Sequence, residues 1–239
     1  MSEPMLEVTG LRAGYLDTTV IRDLNLSVRP GEAAVLIGPN GHGKTTLLRA
    51  ISGLITPSSG QVRLAGQDVT GRPAERIAAL GLVHVPQGDG LFGEMTVEEN
   101  LMMGAFPAAS WRDRRAGLTK IYERFPVVAG RATQRARTLS GGERRLVALG
   151  RALMRPSQIM LIDEPSLGLA PVAIDAVYDA IGELKSSGAT LVLVEENFTH
   201  VGAVADVVHV IEAGAIIASG PFGEMSADPK IVQTYLGSL

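Results

Sequence analysis

The segment Gly38-Pro39-Asn40-Gly41-His42-Gly43-Lys44-Thr45-Thr46 stands between an unbroken apolar run, Ala33–Ile37, and a helical pattern that runs toward Ser52. A buried strand that turns through glycines directly into a helix fixes both a local geometry and a chemistry. The glycines let the backbone curl so that its N–H groups, with the positive end of the helix, converge on one spot and cradle an anion. In such a loop Lys44 reaches toward the β- and γ-phosphates of a nucleotide, and the Thr45 hydroxyl is a ligand for Mg²⁺. The segment therefore predicts a nucleotide-binding P-loop, with Gly38, Pro39, Asn40, Gly41, His42, Gly43, Lys44, Thr45 and Thr46 as its contacts. The bulky His42 is expected to offer its backbone to phosphate and to turn its side chain outward.

Further β-branched or apolar runs, Leu82–Val85, Ile159–Ile162 and Thr190–Val194, alternate with helical patterns, which predicts a parallel sheet and an α/β class. The first thirty residues and Gln61–Leu64 look instead like short strands joined by turns, so a small antiparallel sheet is expected beside the parallel one, placed to cover a nucleotide base. From about Thr96 to Thr138 the strand signals stop, and Glu98–Met103 and Arg112–Phe125 carry helical spacing with charged faces. This predicts a helical insert with Pro126 and the arginine-rich Arg131–Arg137 as connectors, the arginines forming a solvated surface. The chain thus reads as one domain over 1–239: a nucleotide-binding core with its β-subdomain over 1–87 and 146–239, and an α-helical subdomain over 88–145.

Composition removes several alternatives. With 22 basic against 25 acidic residues the net charge is −3, so no global field recruits nucleic acid. The absence of cysteine excludes a disulfide framework, a thiolate zinc site and a cysteine nucleophile. Met1–Gly10 lacks the organisation of a signal peptide, and no stretch approaches the roughly 20 apolar residues that cross a bilayer. If the chain serves a membrane, it is expected to do so from outside the lipid.

The apolar run ahead of Asp163-Glu164-Pro165 should bury a strand and deliver two carboxylates at its carboxyl end, next to the P-loop. Asp163 suits the Mg²⁺ shell, and Glu164 suits polarising an attacking water as the catalytic base. Leu139-Ser140-Gly141-Gly142-Glu143 enters an amphipathic helix through Leu153, with Ser140 placed as an N-cap.

The Leu-Ser-Gly-Gly-Glu sequence just ahead of the Asp-Glu strand resembles the signature of ABC-type ATPases. In that family the signature of one subunit closes over the γ-phosphate held by the P-loop of another. The resemblance implies a head-to-tail dimer in which Ser140, Gly141, Gly142 and Glu143 serve the partner's ATP. It further implies that Tyr15 stacks on adenine, and that Gln87 touches Mg²⁺, takes part in catalysis and leads into the helical subdomain. The loop Ser166–Ala170 falls where such proteins contact the partner subunit. The family usually has a histidine after the strand that follows the Asp-Glu pair, whereas here Glu196 stands at that switch position. An ionised carboxylate there would repel a γ-phosphate, so Glu196 is expected to point away, to be protonated, or to slow hydrolysis. His200, one turn further on, reads as a surface histidine.

Ile77–Leu82 leading to Val85-Pro86, Thr96–Leu101, Pro165–Pro171 and Val194-Glu195-Glu196-Asn197 look like the ATPases of branched-chain amino acid importers. This narrower resemblance implies a heterodimer with a paralogous ATPase, this chain being the partner without the histidine, although self-pairing stays open. It also implies two transmembrane permease subunits and, indirectly, a solute-binding protein. Related urea or amide importers, a homodimeric exporter and a regulatory module with little turnover remain as alternatives.

Overall fold

The computed structural model describes residues 3–106, 111–196 and 198–235. In chain order it contains β1 (Leu6–Tyr15), β2 (Thr18–Val28), β3 (Ala33–Ile37), α1 (Lys44–Ile51), β4 (Ser59–Leu64), β5 (Gln67–Asp68), α2 (Ala74–Ala79) and β6 (Leu82–Val85). A helical stretch follows, with α3 (Val97–Met103), α4 (Arg114–Arg124), α5 (Pro126–Ala129) and α6 (Gly141–Leu153). The chain then returns to strands: β7 (Ile159–Asp163), α7 (Pro171–Ser186), β8 (Thr190–Glu195), β9 (Val207–Glu212), β10 (Ala215–Pro221), α8 (Phe222–Met225) and α9 (Pro229–Tyr235).

The strands form a six-stranded sheet in the order β10-β9-β3-β8-β7-β6 and a four-stranded antiparallel sheet in the order β2-β1-β4-β5. In the larger sheet β9, β3, β8, β7 and β6 run parallel and β10 returns antiparallel to β9. Alternation along each parallel strand divides the core into two layers. Val35 and Ile37 of β3, Met160 and Ile162 of β7, and Leu191 and Leu193 of β8 join the layer built with α3, α4, α6 and α7. Leu36, Leu161, Val192 and Val194 face the other way, onto Leu47, Leu48 and Ile51 of α1 and the inner face of the antiparallel sheet. Both faces of the parallel sheet are therefore covered, which is why its strands are apolar throughout.

Register decides where the site lies. Ile37 is level with Glu195, and Asp163 with Val194, so β3, β8 and β7 end together and β8 separates the P-loop strand from the Asp-Glu strand. Helix α3 starts with a capping box, in which Thr96 Oγ1 accepts from Glu99 N (3.2 Å) and Glu99 Oε2 from Thr96 N (2.7 Å). Asn100, fully buried, donates through Nδ2 to the carbonyls of Phe92, Met95 and Thr96 and accepts from Phe92 N. It thereby fastens the loop that descends from Gln87 to the helices.

The fold departs from the sequence reading in detail. The first thirty residues form two strands of 10 and 11 residues, not several short ones. Strands β7 and β8 each run one residue past the apolar run, taking in Asp163 and Glu195. The β9–β10 hairpin was not anticipated. By contrast, helix α6 runs from the signature through Leu153, as its amphipathic pattern predicts. Arg131 pairs with Glu143, and Arg135 and Arg137 with Glu94, at 3.0–3.3 Å; such exposed pairs contribute about 0–1 kcal/mol.

Candidate active site

Helix α1 opens at Lys44 with Gly43 as its N-cap, at φ 102°, and with no side-chain cap. A left-handed φ at that point suits glycine, and a Cβ there would also lie 2.8 Å from Ile21 Cδ1. Whereas α3 and α6 satisfy their first amides with capping boxes, α1 has no side-chain cap, and uncapped amides at a helix N-terminus suit an anion.

Lys44 is 3% exposed. Its ammonium donates to the carbonyls of Gly38 (2.6 Å) and Pro39 (3.1 Å) and forms an ion pair with Glu164 Oε1 at 3.4 Å. Glu164 Oε2 accepts from Gln87 Nε2 at 2.7 Å, so the three residues singled out from distant parts of the sequence form one chain of polar contacts. Glu164 has φ +44°, a conformation that costs a non-glycine residue on the order of 1–3 kcal/mol and is kept where surrounding contacts over-determine it. Here Glu164 N donates to Val194 O (3.0 Å), Leu167 N to Glu164 O (3.2 Å) and Arg145 Nη2 to Glu164 O (3.3 Å).

Asp163 lies one layer deeper, beneath α1, where Thr45 Oγ1 donates to its Oδ1 at 3.1 Å. Burial pushes the Asp163 carboxyl above its ordinary range, against the Thr45 hydrogen bond that lowers it. Its Oδ2 is buried without a partner. A hydroxyl, a carboxylate with one unused oxygen and the nearby Gln87 amide make an all-oxygen donor set, which fits Mg²⁺.

One cleft of about 450 Å³ is lined by Tyr15, Asn40, Gly41, Gly43, Lys44, Thr45, Thr46, Gln87 and Glu164, together with Val20 and Arg49. Gly38 and Pro39 stay behind it, serving Lys44 through their carbonyls. His42 is turned from the cleft but is not loose: its Nδ1 accepts from Ala213 N (3.3 Å) and its carbonyl from Gly214 N (3.2 Å), docking the P-loop on the β9–β10 turn. Tyr15 is 41% exposed at the cleft mouth, and its hydroxyl accepts from Arg49 Nη1 at 3.1 Å.

The signature residues lie outside this cleft. Ser140 and Glu143 cap each other, with Ser140 Oγ accepting from Glu143 N (3.3 Å) and Glu143 Oε2 from Ser140 N (2.8 Å). The Ser140 amide, first among several contacts, holds the Glu143 carboxyl below its usual range. Gly142 permits a close approach, since a Cβ there would come 2.6 Å from the Cβ of Ala173 in the first turn of α7. At the switch position the Glu196 side chain is exposed, whereas that of Glu195 is buried; Asn197 lies outside the described residues. His200 is half-buried, its ring 5.7 Å from that of Tyr178.

Three participants escaped the sequence reading. Arg49 sits four residues beyond Thr45 on α1, one turn along the same face. Arg145, 3% exposed, donates to the carbonyls of Pro86 (3.4 Å) and Gly88 on either side of Gln87, as well as to Glu164. Its only signal was a charge at a core position of an amphipathic helix. The third is Glu195, whose period-two neighbours Leu191 and Leu193 face the helical layer.

A glycine-rich loop between strand and helix, a buried lysine, and a strand ending in Asp-Glu beside it define a P-loop nucleotide hydrolase. The chain belongs, within that class, to the ABC transporter family, whose family model matches residues 21–167. It is an ATPase coupled to transport. It is 38% identical over 233 residues to the high-affinity branched-chain amino acid transport ATP-binding protein BraG of Pseudomonas aeruginosa, covering 98% of this chain and 100% of the relative. It is 32% identical to the probable branched-chain amino acid transport ATP-binding protein LivF of Archaeoglobus fulgidus, with coverage of 98% and 99%. Among solved structures, the ADP conformation of an ATP-binding cassette of an ABC transporter superposes with a TM-score of 0.86 at 28% identity, over 99% of this chain and 100% of that one. Among the described residues no helix is long and apolar enough to cross a membrane.

Proposed function

We propose that this chain energises import of branched-chain amino acids, hydrolysing ATP with Glu164 as general base and Lys44 as the phosphate-binding cation. The observation that carries the catalytic part is Glu164 itself, held in a left-handed turn between Lys44 and Gln87 at the cleft wall. The P-loop amides and Lys44 bind the β- and γ-phosphates, Tyr15 stacks on adenine, and Glu164 takes the proton of the attacking water. Thr45, Asp163 and Gln87 would hold Mg²⁺, which supplies charge stabilisation to the transferring phosphoryl group.

Ser140, Gly141, Gly142 and Glu143 serve the ATP of a second subunit. Support comes from their position at the N-terminus of α6, outside their own chain's cleft and against the Leu169–Ala173 region, where Leu169 Cδ2 would lie 3.0 Å from a Cβ on Gly141. Ser140→Ala is expected to lower stability by about 1 kcal/mol through loss of the cap and also to weaken ATP-dependent pairing. A cap without a further role would give the first effect in thermal melts and leave pairing unchanged.

The second subunit is a paralogous ATPase, or a second copy of this chain. The pair sits on the cytoplasmic face of the membrane beneath two permease subunits, with a solute-binding protein delivering cargo and residues 88–145 forming the helical subdomain. Glu196 occupies the switch position directly after Glu195, whose carbonyl accepts from Gly38 N at 3.3 Å. The full-length match to two branched-chain amino acid cassettes supports the cargo. Uptake of labelled leucine in proteoliposomes carrying the whole transporter tests it. ATP-dependent leucine accumulation is expected, and accumulation of urea or an amide in its place would overturn the assignment.

A further inference from the structure

The carboxylate that β8 buries is Glu195, not Glu196, and none of the chemistry above uses it. Glu195 is 5% exposed and lies between the P-loop strand and the Asp-Glu strand. Its Oε1 accepts from Ser166 N at 3.1 Å and from Tyr178 OH at 2.8 Å; its Oε2 accepts from Ser166 Oγ at 3.0 Å. Tyr178 comes from α7 and is buried in the helical layer. Burial, and then the Glu195 charge, push its phenol far above the ordinary range, so it stays a donor.

These bonds close a grip around Pro165. On one side Glu164 N donates to the carbonyl of Val194; on the other Ser166 is bound twice by the next residue of the same strand. Two consecutive residues of β8 thus hold both flanks of a turn that a free chain would leave, because Glu164 is left-handed. We propose that Glu195 is a positioning residue for ATP hydrolysis, clamping Ser166 so that the Glu164 turn keeps its conformation and the loop Ser166–Ala170 keeps its aim. This rests on Glu164 being the general base.

A glutamine can reproduce the clamp: its carbonyl oxygen accepts from Ser166 N and Tyr178 OH while its amide donates to Ser166 Oγ. Alanine cannot. With the chain in its paired form, Glu195→Ala is expected to lower kcat by about 10–100-fold, the scale of a small misplacement of a catalytic group. Affinity of the single chain for a fluorescent ATP analogue should stay within about twofold, since no nucleotide contact is touched, and Glu195→Gln should restore kcat to within about threefold of the parent. A purely structural role would lower binding and turnover together through loss of folded protein. Should Glu195→Ala not fold, Ser166→Ala removes the Oγ bond alone and is expected to lose kcat by about threefold or more with unchanged binding. Parent-like kcat in the foldable variant, or Glu195→Gln as slow as Glu195→Ala, overturns the clamp. Glu164→Gln run alongside separates the two readings: its inactivity with a fully active Glu195→Ala sinks the clamp alone, and its full activity sinks the base assignment on which the clamp rests.

Discussion

Glu164→Gln is expected to slow ATP hydrolysis by about 10²–10⁴-fold, the range that a positioned general base contributes, while ATP binding persists or tightens. The amide has nearly the shape of the carboxylate, so its carbonyl oxygen can still accept from Gln87, now 2.7 Å away. What it removes is basicity and the negative charge 3.4 Å from the Lys44 ammonium. That ammonium is 3% exposed, and burying a cation without an ionic partner is costly. The β- and γ-phosphates of ATP then supply the missing charge, which is why binding does not fall with turnover. Single-turnover phosphate release beside equilibrium nucleotide binding checks both halves. Turnover near that of the parent would remove Glu164 from the chemistry.

Lys44→Ala has the opposite signature: ATP affinity falls by about 10–100-fold, as expected for loss of hydrogen bonds to a charged group, and hydrolysis goes with it. The substitution also strands Glu164, 4% exposed, beside an empty position. Removing one partner of a buried pair typically destabilises by about 3–5 kcal/mol; Gln87 remains to share the carboxylate, which places this site toward the lower end. The double variant Lys44→Ala/Glu164→Gln, in which neither charge of this pair remains, should therefore melt above Lys44→Ala alone. Calorimetry of the parent, both single variants and the double variant decides this, and a destabilisation in the double variant equal to the sum of the two singles would mean that the 3.4 Å contact carries no coupling.

Much of this site was legible because its parts are local. The P-loop lies within nine consecutive residues, and strands β3 and β6 fall where the apolar runs end, at Ile37 and Val85. Strands β7 and β8 were read one residue short because each ends on a carboxylate, Asp163 or Glu195, which hydrophobic patterning assigns to solvent. The residues that escaped notice share a different trait. Arg145 binds the carbonyls of Pro86, Gly88 and Glu164, all remote in sequence, and backbone acceptors leave no side-chain pattern to find. Arg49, on α1, meets the Tyr15 hydroxyl at the end of β1, 34 positions away in the chain. Glu195 and Glu196 are indistinguishable by composition, and period two alone separates them: Glu195 follows Leu193 into the helical layer, and Glu196 is left exposed. The left-handed turn at Glu164 is not legible either, because it exists through contacts from β8 and α6 that the sequence does not show to be neighbours.

On the proposed pairing, a cleft that holds Tyr15, Lys44, Gln87 and Glu164 but none of Ser140–Glu143 would leave one side of a bound γ-phosphate for another subunit to cover, and closure would depend on contacts made only when ATP bridges the two halves. The most direct measurement is the solution mass, by sedimentation, of the Glu164→Gln chain with MgATP, alone and mixed with the paralogous ATPase of the same transporter. A two-chain species that forms with ATP, dissolves with ADP and is weakened by Ser140→Ala is the predicted result. A single-chain mass at saturating ATP with either partner would contradict it.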